Sequence, residues 1–344
     1  MKVAVGLSGG VDSALAAALL KEQGYQVTGV FLECWNEPGC RTDNDRKDAL
    51  KVALKLKFPF RVLDFKKEYR QRVMALTYRE FKAGRTPNPD ILCNREIKFG
   101  LFLDWSIKQG FDLVATGHYA QLKKGKLYQS VDKNKDQTYF LALLKEKQLR
   151  QVLFPIGHLL KSQVRRQARQ RGLHVWSKKD STGICFIGHD LPFKEFLKRK
   201  IKPHPGDVVD RVGQVIGRHE GVEFYTIGQR HGFRVVAKTT ASQPVYVIQK
   251  DIKSNRLMVG KKQELAKREF SVERWKWIVG KHLLQVEYLK CRIRHQGRLI
   301  PCKIVGKKVI LARPEYGVAA GQVAVVYKME GSDLSICLGG GVIT

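Results

Sequence analysis

Ser8-Gly9-Gly10-Val11-Asp12-Ser13 packs two adjacent glycines, two hydroxyls and a carboxylate into six residues. Such a segment suits a polyphosphate. Glycines let the backbone come close, successive N–H groups and a helix N-terminus supply partial positive charge, and Ser8 and Ser13 add donors. The run lacks the Gly-Lys-Ser/Thr ending of a P-loop, so it sets no lysine on the β and γ phosphates, and it is not GxGxxG. The competing reading is a glycine-rich turn without a ligand. Asp12 is either a carboxylate that holds Mg²⁺ through water or an acidic residue favoured by the helix dipole.

Two cysteines stand in unusual surroundings. In Arg85-Thr86-Pro87-Asn88-Pro89-Asp90-Ile91-Leu92-Cys93-Asn94 the prolines fix φ, which predicts a rigid loop and excludes a regular helix. That loop displays Asp90 and Cys93 close together. In Asp180-Ser181-Thr182-Gly183-Ile184-Cys185-Phe186-Ile187-Gly188 a cysteine follows a polar, glycine-containing turn. Taken singly, each cysteine reads first as a buried small hydrophobe, with a reactive thiol as the rival reading. The other five, Cys34, Cys40, Cys291, Cys302 and Cys337, are widely spaced, and no CxxC occurs. This excludes a secreted disulfide framework and gives no support to a zinc ribbon or a local iron–sulfur site. Cys34 and Cys40 flank a Pro38-Gly39 turn and read as loop residues; the last three read as core or surface. His118 reads either as a wall of the nucleotide site or as a structural histidine.

The elements that must position these residues follow from apolar periodicity. Lys2–Leu7 is an apolar run ahead of the glycines, 14–23 has helical composition, and 26–32 is a second apolar run. Strand, loop, helix, strand is a βαβ unit of a parallel sheet. Further strands are expected near 60–65 and 113–116, with helices at 45–57, at 66–84 as one long amphipathic element, and near 99–109. Residues 141–205 look helical and basic. From Gly206 onward, short Val-, Ile-, Tyr- and Phe-rich runs alternate with turn residues, which predicts β modules, with Gly260–Lys262 as a boundary. The fold class expected is α/β: an N-terminal parallel-sheet pyrophosphate-loop domain over 1–205, followed by two small all-β modules over 206–262 and 263–344.

The chain has 344 residues, enough for two or three domains. Its 63 Lys and Arg against 32 Asp and Glu give a formal charge of +31, which points to a polyanionic partner, nucleic acid first. The run Lys161–Arg171 reads as a solvated helix face, with RNA backbone contact as its rival. No stretch approaches the roughly 20 apolar residues of a membrane span. Residues 2–7 already read as a buried strand, so a cytosolic protein is expected.

Taken together the motifs resemble the tRNA-specific 2-thiouridylase family over nearly the whole chain. The resemblance rests on the loop at 8–13, TPNPDILCN at 86–94 followed by Lys98-Phe99, and ATGHYA at 115–120. It continues through KDQTYFL at 135–141, LFPIG at 153–157, STGICFIG at 181–188, FYTIGQRHG at 224–232 and RPEYG at 313–317. The turn Ala319-Ala320-Gly321-Gln322 departs from the family's proline-containing version.

The resemblance implies an adenine-nucleotide alpha-hydrolase-like fold and ATP-dependent 2-thiolation of the wobble uridine (position 34) of tRNA. The C2 oxygen would be adenylated and sulfur delivered from a cysteine persulfide. By resemblance Cys185 carries the persulfide, Cys93 is its partner nucleophile, and Asp90 is the acidic group at the base. Gly6, Leu7, Ser8, Gly9, Gly10, Val11, Asp12, Ser13, Leu32 and Gly117 match ATP-contacting positions. Asn88, Pro89, Asp90, Lys135, Asp136, Gln137, Arg294 and His295 match tRNA-contacting ones. ATP with Mg²⁺ is the implied cofactor, and no residue is assigned as a metal ligand. The implied partners are tRNAs for Lys, Glu and Gln and a persulfide relay fed by a cysteine desulfurase. Rival functions are an amide-forming synthetase with the same loop, a thiolase acting on another base, and a non-catalytic RNA-binding protein.

Overall fold

The computed structural model describes residues 1–37, 40–180, 192–235, 244–278, 288–330 and 334–344. Cys185, the expected persulfide carrier, lies outside the described residues. So does the rest of STGICFIG.

The first region is built on β1 (Lys2–Gly6), β2 (Gln26–Glu33), β3 (Phe60–Asp64) and β4 (Leu113–Thr116). A hairpin, β5 (Ala120–Lys123) and β6 (Lys126–Gln129), then leaves this sheet, and β7 (Val152–Leu153) returns to it. The order β3-β2-β1-β4-β7 is parallel throughout. Such a sheet must be covered on both faces, and Val3, Ala4 and Val5 are fully buried. Ala-rich helix α1 (Val11–Glu22) and α2 (Thr42–Lys55) pack one face around Val5, Ala17, Phe31 and Ala53.

The long helix expected over 66–84 is present as α3 (Lys66–Tyr69), a π-type turn at Arg70–Met74, and α4 (Ala75–Lys82). The next element corrects the sequence reading. The segment 89–93 is not a loop but helix α5 (Pro89–Cys93), which runs through a π-type stretch at Asn94–Leu101 into α6 (Phe102–Lys108). Pro89 occupies the first helical position, where a missing N–H costs nothing and the fixed φ suits the helix. Asn88 supplies the cap, its Oδ1 accepting from the N–H groups of Asp90 and Ile91 at 3.1 Å each.

Among its described residues the basic region is less helical than expected. It holds α7 (Thr138–Leu141), α8 (Glu146–Leu149), α9 (Lys161–Gln170) and α10 (Phe193–Lys198). Helix α10 and α4 pack on the central module through Phe81, Leu197, Val208 and Tyr225. That module contains β8 (Gly206–Val209), β9 (Val215–His219), β10 (Arg234–Val235), β11 (Tyr246–Asp251) and β12 (Arg256–Gly260), in the order β10-β9-β8-β12-β11.

The last module is a closed antiparallel barrel. Its strands are β13 (Ala266–Trp277), β14 (Leu289–Arg292), β15 (Ile300–Val305), β16 (Lys308–Tyr316), β17 (Val323–Glu330) and β18 (Leu334–Ile343). Strand β13 pairs with both β16 and β18, so the six strands close. Sequence reasoning missed that hairpin β5–β6 joins this barrel, through pairs Tyr128↔Ile336 and Leu127↔Cys337. Strand β18 changes partner from β6 to β13 at Gly339, where an added Cβ would sit 2.2 Å from the Lys276 carbonyl oxygen.

Candidate active site

The loop 7–10 leaves the C-terminal end of β1 and feeds α1. Gly9 turns with φ +73°, and a Cβ there would strike the Asp45 carbonyl oxygen at 2.2 Å. Ser13 stiffens the turn: its Oγ accepts from the Ser8 N–H (3.1 Å) and donates to the Gly10 carbonyl (3.2 Å). Gly117, just past β4, must be glycine because a Cβ would come within 2.5 Å of the Ser13 nitrogen.

A cavity of about 260 Å³ opens beside this loop. Gly6, Leu7, Ser8, Asp12, Ser13, Leu32 and Gly117 line it, and Asp90 and Cys93 line it from α5. The ends of β1, β2 and β4 thus meet the first turn of α5, and the i, i+3 spacing puts the carboxyl and the thiol on one helix face. Val11, by contrast, is turned into the core beneath α1. Cys34, read as a loop residue, also faces the cavity, as do Lys98 and His118.

Burial pushes the Asp90 carboxyl up to about 6, with Lys98 opposing the shift. His118 is held neutral by desolvation, and its Nδ1 meets Thr116 Oγ1 at 2.7 Å. Asp12 is already engaged. Lys161 Nζ donates to its two oxygens at 2.7 and 2.8 Å, and Tyr119 Oη donates to Oδ1 at 2.8 Å. Burial and Asp12 both raise the Tyr119 hydroxyl, which keeps it a donor. Among the described residues no group of three or more His, Cys, Asp or Glu side chains forms a metal centre.

Sequence reasoning missed Lys161, which lies at the start of a run taken for a solvated face yet has a side chain only 12% exposed. It missed Lys178 as well, whose Nζ donates to the Gly9 carbonyl (2.9 Å), Asp45 (2.7 Å) and Asp48 (2.6 Å). Periodicity carries no signal for either, because both contacts are made across elements far apart in the chain.

The segments matched to tRNA contact come together without all facing outward. Gln296 Nε2 donates to the Asn134 carbonyl (2.9 Å), and the His295 ring lies 4.2 Å from that of Phe140. His295 Nδ1 is buried without a partner. Arg294 is half exposed and held by Glu315 and the Tyr316 carbonyl, each at 2.8 Å. Lys135 pairs with Asp180 at 2.7 Å, and Gln137 accepts from the Tyr119 N–H at 2.9 Å. Asp136 is sealed inside: its carboxylate takes Arg292 Nη1 at 3.0 Å, Gln129 Nε2 at 2.9 Å and the Ser130 N–H at 3.1 Å. Its side chain therefore joins the first region to the barrel and offers nothing to a ligand.

Both β modules also hold the strand of chain that leads into α5. The Thr86 N–H donates to the Ala320 carbonyl (2.8 Å), its carbonyl accepts from Gln322 Nε2 (2.9 Å), and its hydroxyl meets that of Thr226 at 3.1 Å. The turn 319–322, where the sequence departs from the family pattern, makes this contact.

Comparison with known proteins agrees with the motifs. Residues 1–189 match the family described as tRNA methyl transferase HUP domain, 194–261 its PRC-barrel domain, and 267–343 an aminomethyltransferase beta-barrel domain. A tRNA-specific 2-thiouridylase from Nitrosomonas europaea is 44% identical over 99% of this chain and 98% of its own. The chain belongs to the tRNA-specific 2-thiouridylase family. Another member, from Bacillus licheniformis, is 41% identical over 99% of this chain and 94% of its own. The 2-thiouridylase family match thus spans the parallel-sheet region, the central module and the barrel. A solved U34-tRNA thiolase from Methanococcus maripaludis overlaps 51% of this chain and 57% of its own at 20% identity and a TM-score of 0.36, which adds nothing to the assignment. Among the described residues no helix is long and apolar enough to cross a membrane.

Proposed function

We propose that this protein is an ATP-dependent tRNA sulfurtransferase that places sulfur on C2 of the wobble uridine, acting in the cytoplasm on tRNAs for Lys, Glu and Gln. The observation that carries the reading is the meeting of the loop 8–13 with Asp90 and Cys93 around one cavity, in a chain of the 2-thiouridylase family.

The uridine C2 oxygen attacks the α phosphorus of ATP, and pyrophosphate leaves with the P–O bonding pair. Gly6 to Gly10, Asp12, Ser13, Leu32 and Gly117 hold the nucleotide; Mg²⁺ would offset phosphate charge when bound, and Asp12, the carboxylate of the loop, would hold it through water. Asp90 takes the N3 proton of uracil, which raises electron density on the C2 oxygen; a carboxyl near 6 is ionised at neutral pH yet basic enough to share that proton. The terminal sulfur of a Cys185 persulfide attacks C2 and AMP leaves. The Cys93 thiolate then attacks Cys185 Sγ, releasing the 2-thio group and forming a Cys93–Cys185 disulfide. A dithiol reductant resets the pair, and a relay fed by a cysteine desulfurase reloads Cys185. The target base must leave its stack to enter so narrow a cavity.

Mass spectrometry of nucleosides, after incubation of tRNA with the protein, ATP, Mg²⁺ and a sulfur source, tests the proposal. Wild type should form 2-thiouridine, while Cys93→Ser and Cys185→Ser should form none yet still release pyrophosphate on tRNA. Undiminished 2-thiouridine from either variant would remove that thiol from the mechanism.

A further inference from the structure

The nucleotide loop carries no lysine, yet a phosphate chain with up to four negative charges needs a cation close by. Lys161 opens α9 and reaches the loop at Asp12, which lines the cavity. Its ammonium lies 2.7 and 2.8 Å from the Asp12 oxygens and 2.9 Å from Asp180 Oδ1. We propose that Lys161 grips the β and γ phosphates of ATP, and the pyrophosphate that departs, by swinging a short way from Asp12 and Asp180. The proposal rests on the reading of residues 6–13 as the nucleotide loop.

Two features make the exchange inexpensive. Asp180 keeps Lys135 and Arg165, each at 2.7 Å, when Lys161 turns away. Asp12 keeps the Tyr119 hydroxyl. Neither carboxylate is stranded, so the usual penalty for breaking a half-buried pair does not arise. Burial opposes ionisation of Asp180, but its cations hold the carboxyl down to about 2, so the acceptor stays charged and the cluster reforms once pyrophosphate leaves. Lys178, on the other flank, is tied to a backbone carbonyl as well as two aspartates and serves to fix the Gly9 turn.

Calorimetric titration of the full-length protein with ATP, inorganic pyrophosphate, AMP and tRNA separates the outcomes. In Lys161→Met the affinity for ATP and for pyrophosphate should fall at least tenfold, while AMP and tRNA stay within about twofold; Lys161→Arg should recover part of the loss. A uniform loss across AMP and pyrophosphate would mean a purely structural residue and would overturn the proposal. So would unchanged pyrophosphate affinity with weakened tRNA, which would make Lys161 part of an RNA face. If Lys161→Met does not fold, Lys161→Gln gives the same comparison. Wild type binding neither ATP nor pyrophosphate would refute the loop reading itself, and the role of Lys161 with it.

Discussion

Asp90 bears an electrostatic cost that its neighbours do not remove. Its carboxyl is raised to about 6 by burial, so the folded chain holds a proton there more tightly than the unfolded chain does. Relative to an ordinary aspartate, the stability associated with Asp90 is greatest below about pH 4 and is lost as pH rises through about 6. Asp90→Asn should therefore raise stability at pH 7 by about 1–3 kcal/mol and change little at pH 4. Thermal denaturation at the two pH values checks this, and the same variant should form no 2-thiouridine. In the wild type, thiolation should fall as pH drops below about 6, because the carboxylate proposed as the proton acceptor is then protonated.

Helix α5 is five residues long and too short to persist by itself. Its first turn depends on the Asn88 cap, on Pro89 at the first position, and on Ile91 packing into the core shared with Phe99, Tyr139 and the barrel residues Val323 and Tyr327. Asn88→Ala should cost about 1 kcal/mol, by loss of the cap. It should also lower the rate of thiolation, since Asp90 and Cys93 ride on that turn. Asn88→Asp, which still accepts from the two N–H groups, should lie close to wild type in urea denaturation. This element was only half legible in the sequence. The spacing of Asp90 and Cys93 announced that they lie together, but two prolines argued for a loop. Proline's fixed φ is as compatible with a helix start as with a loop, and the bonds from Asn88 decide between them.

At the scale of the whole molecule, the Asp136–Arg292 pair is a buried ionic tie between the first region and the barrel, with side chains 0% and 9% exposed. Arg292→Met should strand the Asp136 charge and destabilise by about 3–5 kcal/mol. Chemical denaturation measures the loss, and the double change with Asp136→Asn should restore much of it. The charge of +31 acts at this scale too. Raising salt from about 50 to 200 mM should weaken tRNA binding by about 10³–10⁵-fold if six to ten phosphates are contacted. A flat response in filter binding would contradict a broad basic contact face.

By itself the sequence determined the class of fold, the glycine turn between strand and helix at 8–13, the family, and the pairing of Asp90 with Cys93, because each rests on local patterns of residue type and spacing. Tertiary structure alone decided that β5–β6 belongs to the barrel, that Asp136 faces inward to Arg292, and that Lys161 and Lys178 flank the loop. The reason is physical. A buried ion pair or an added strand is settled by which surfaces the folded chain brings together, and a lysine's local sequence is the same whether its ammonium meets water or a carboxylate 149 positions away.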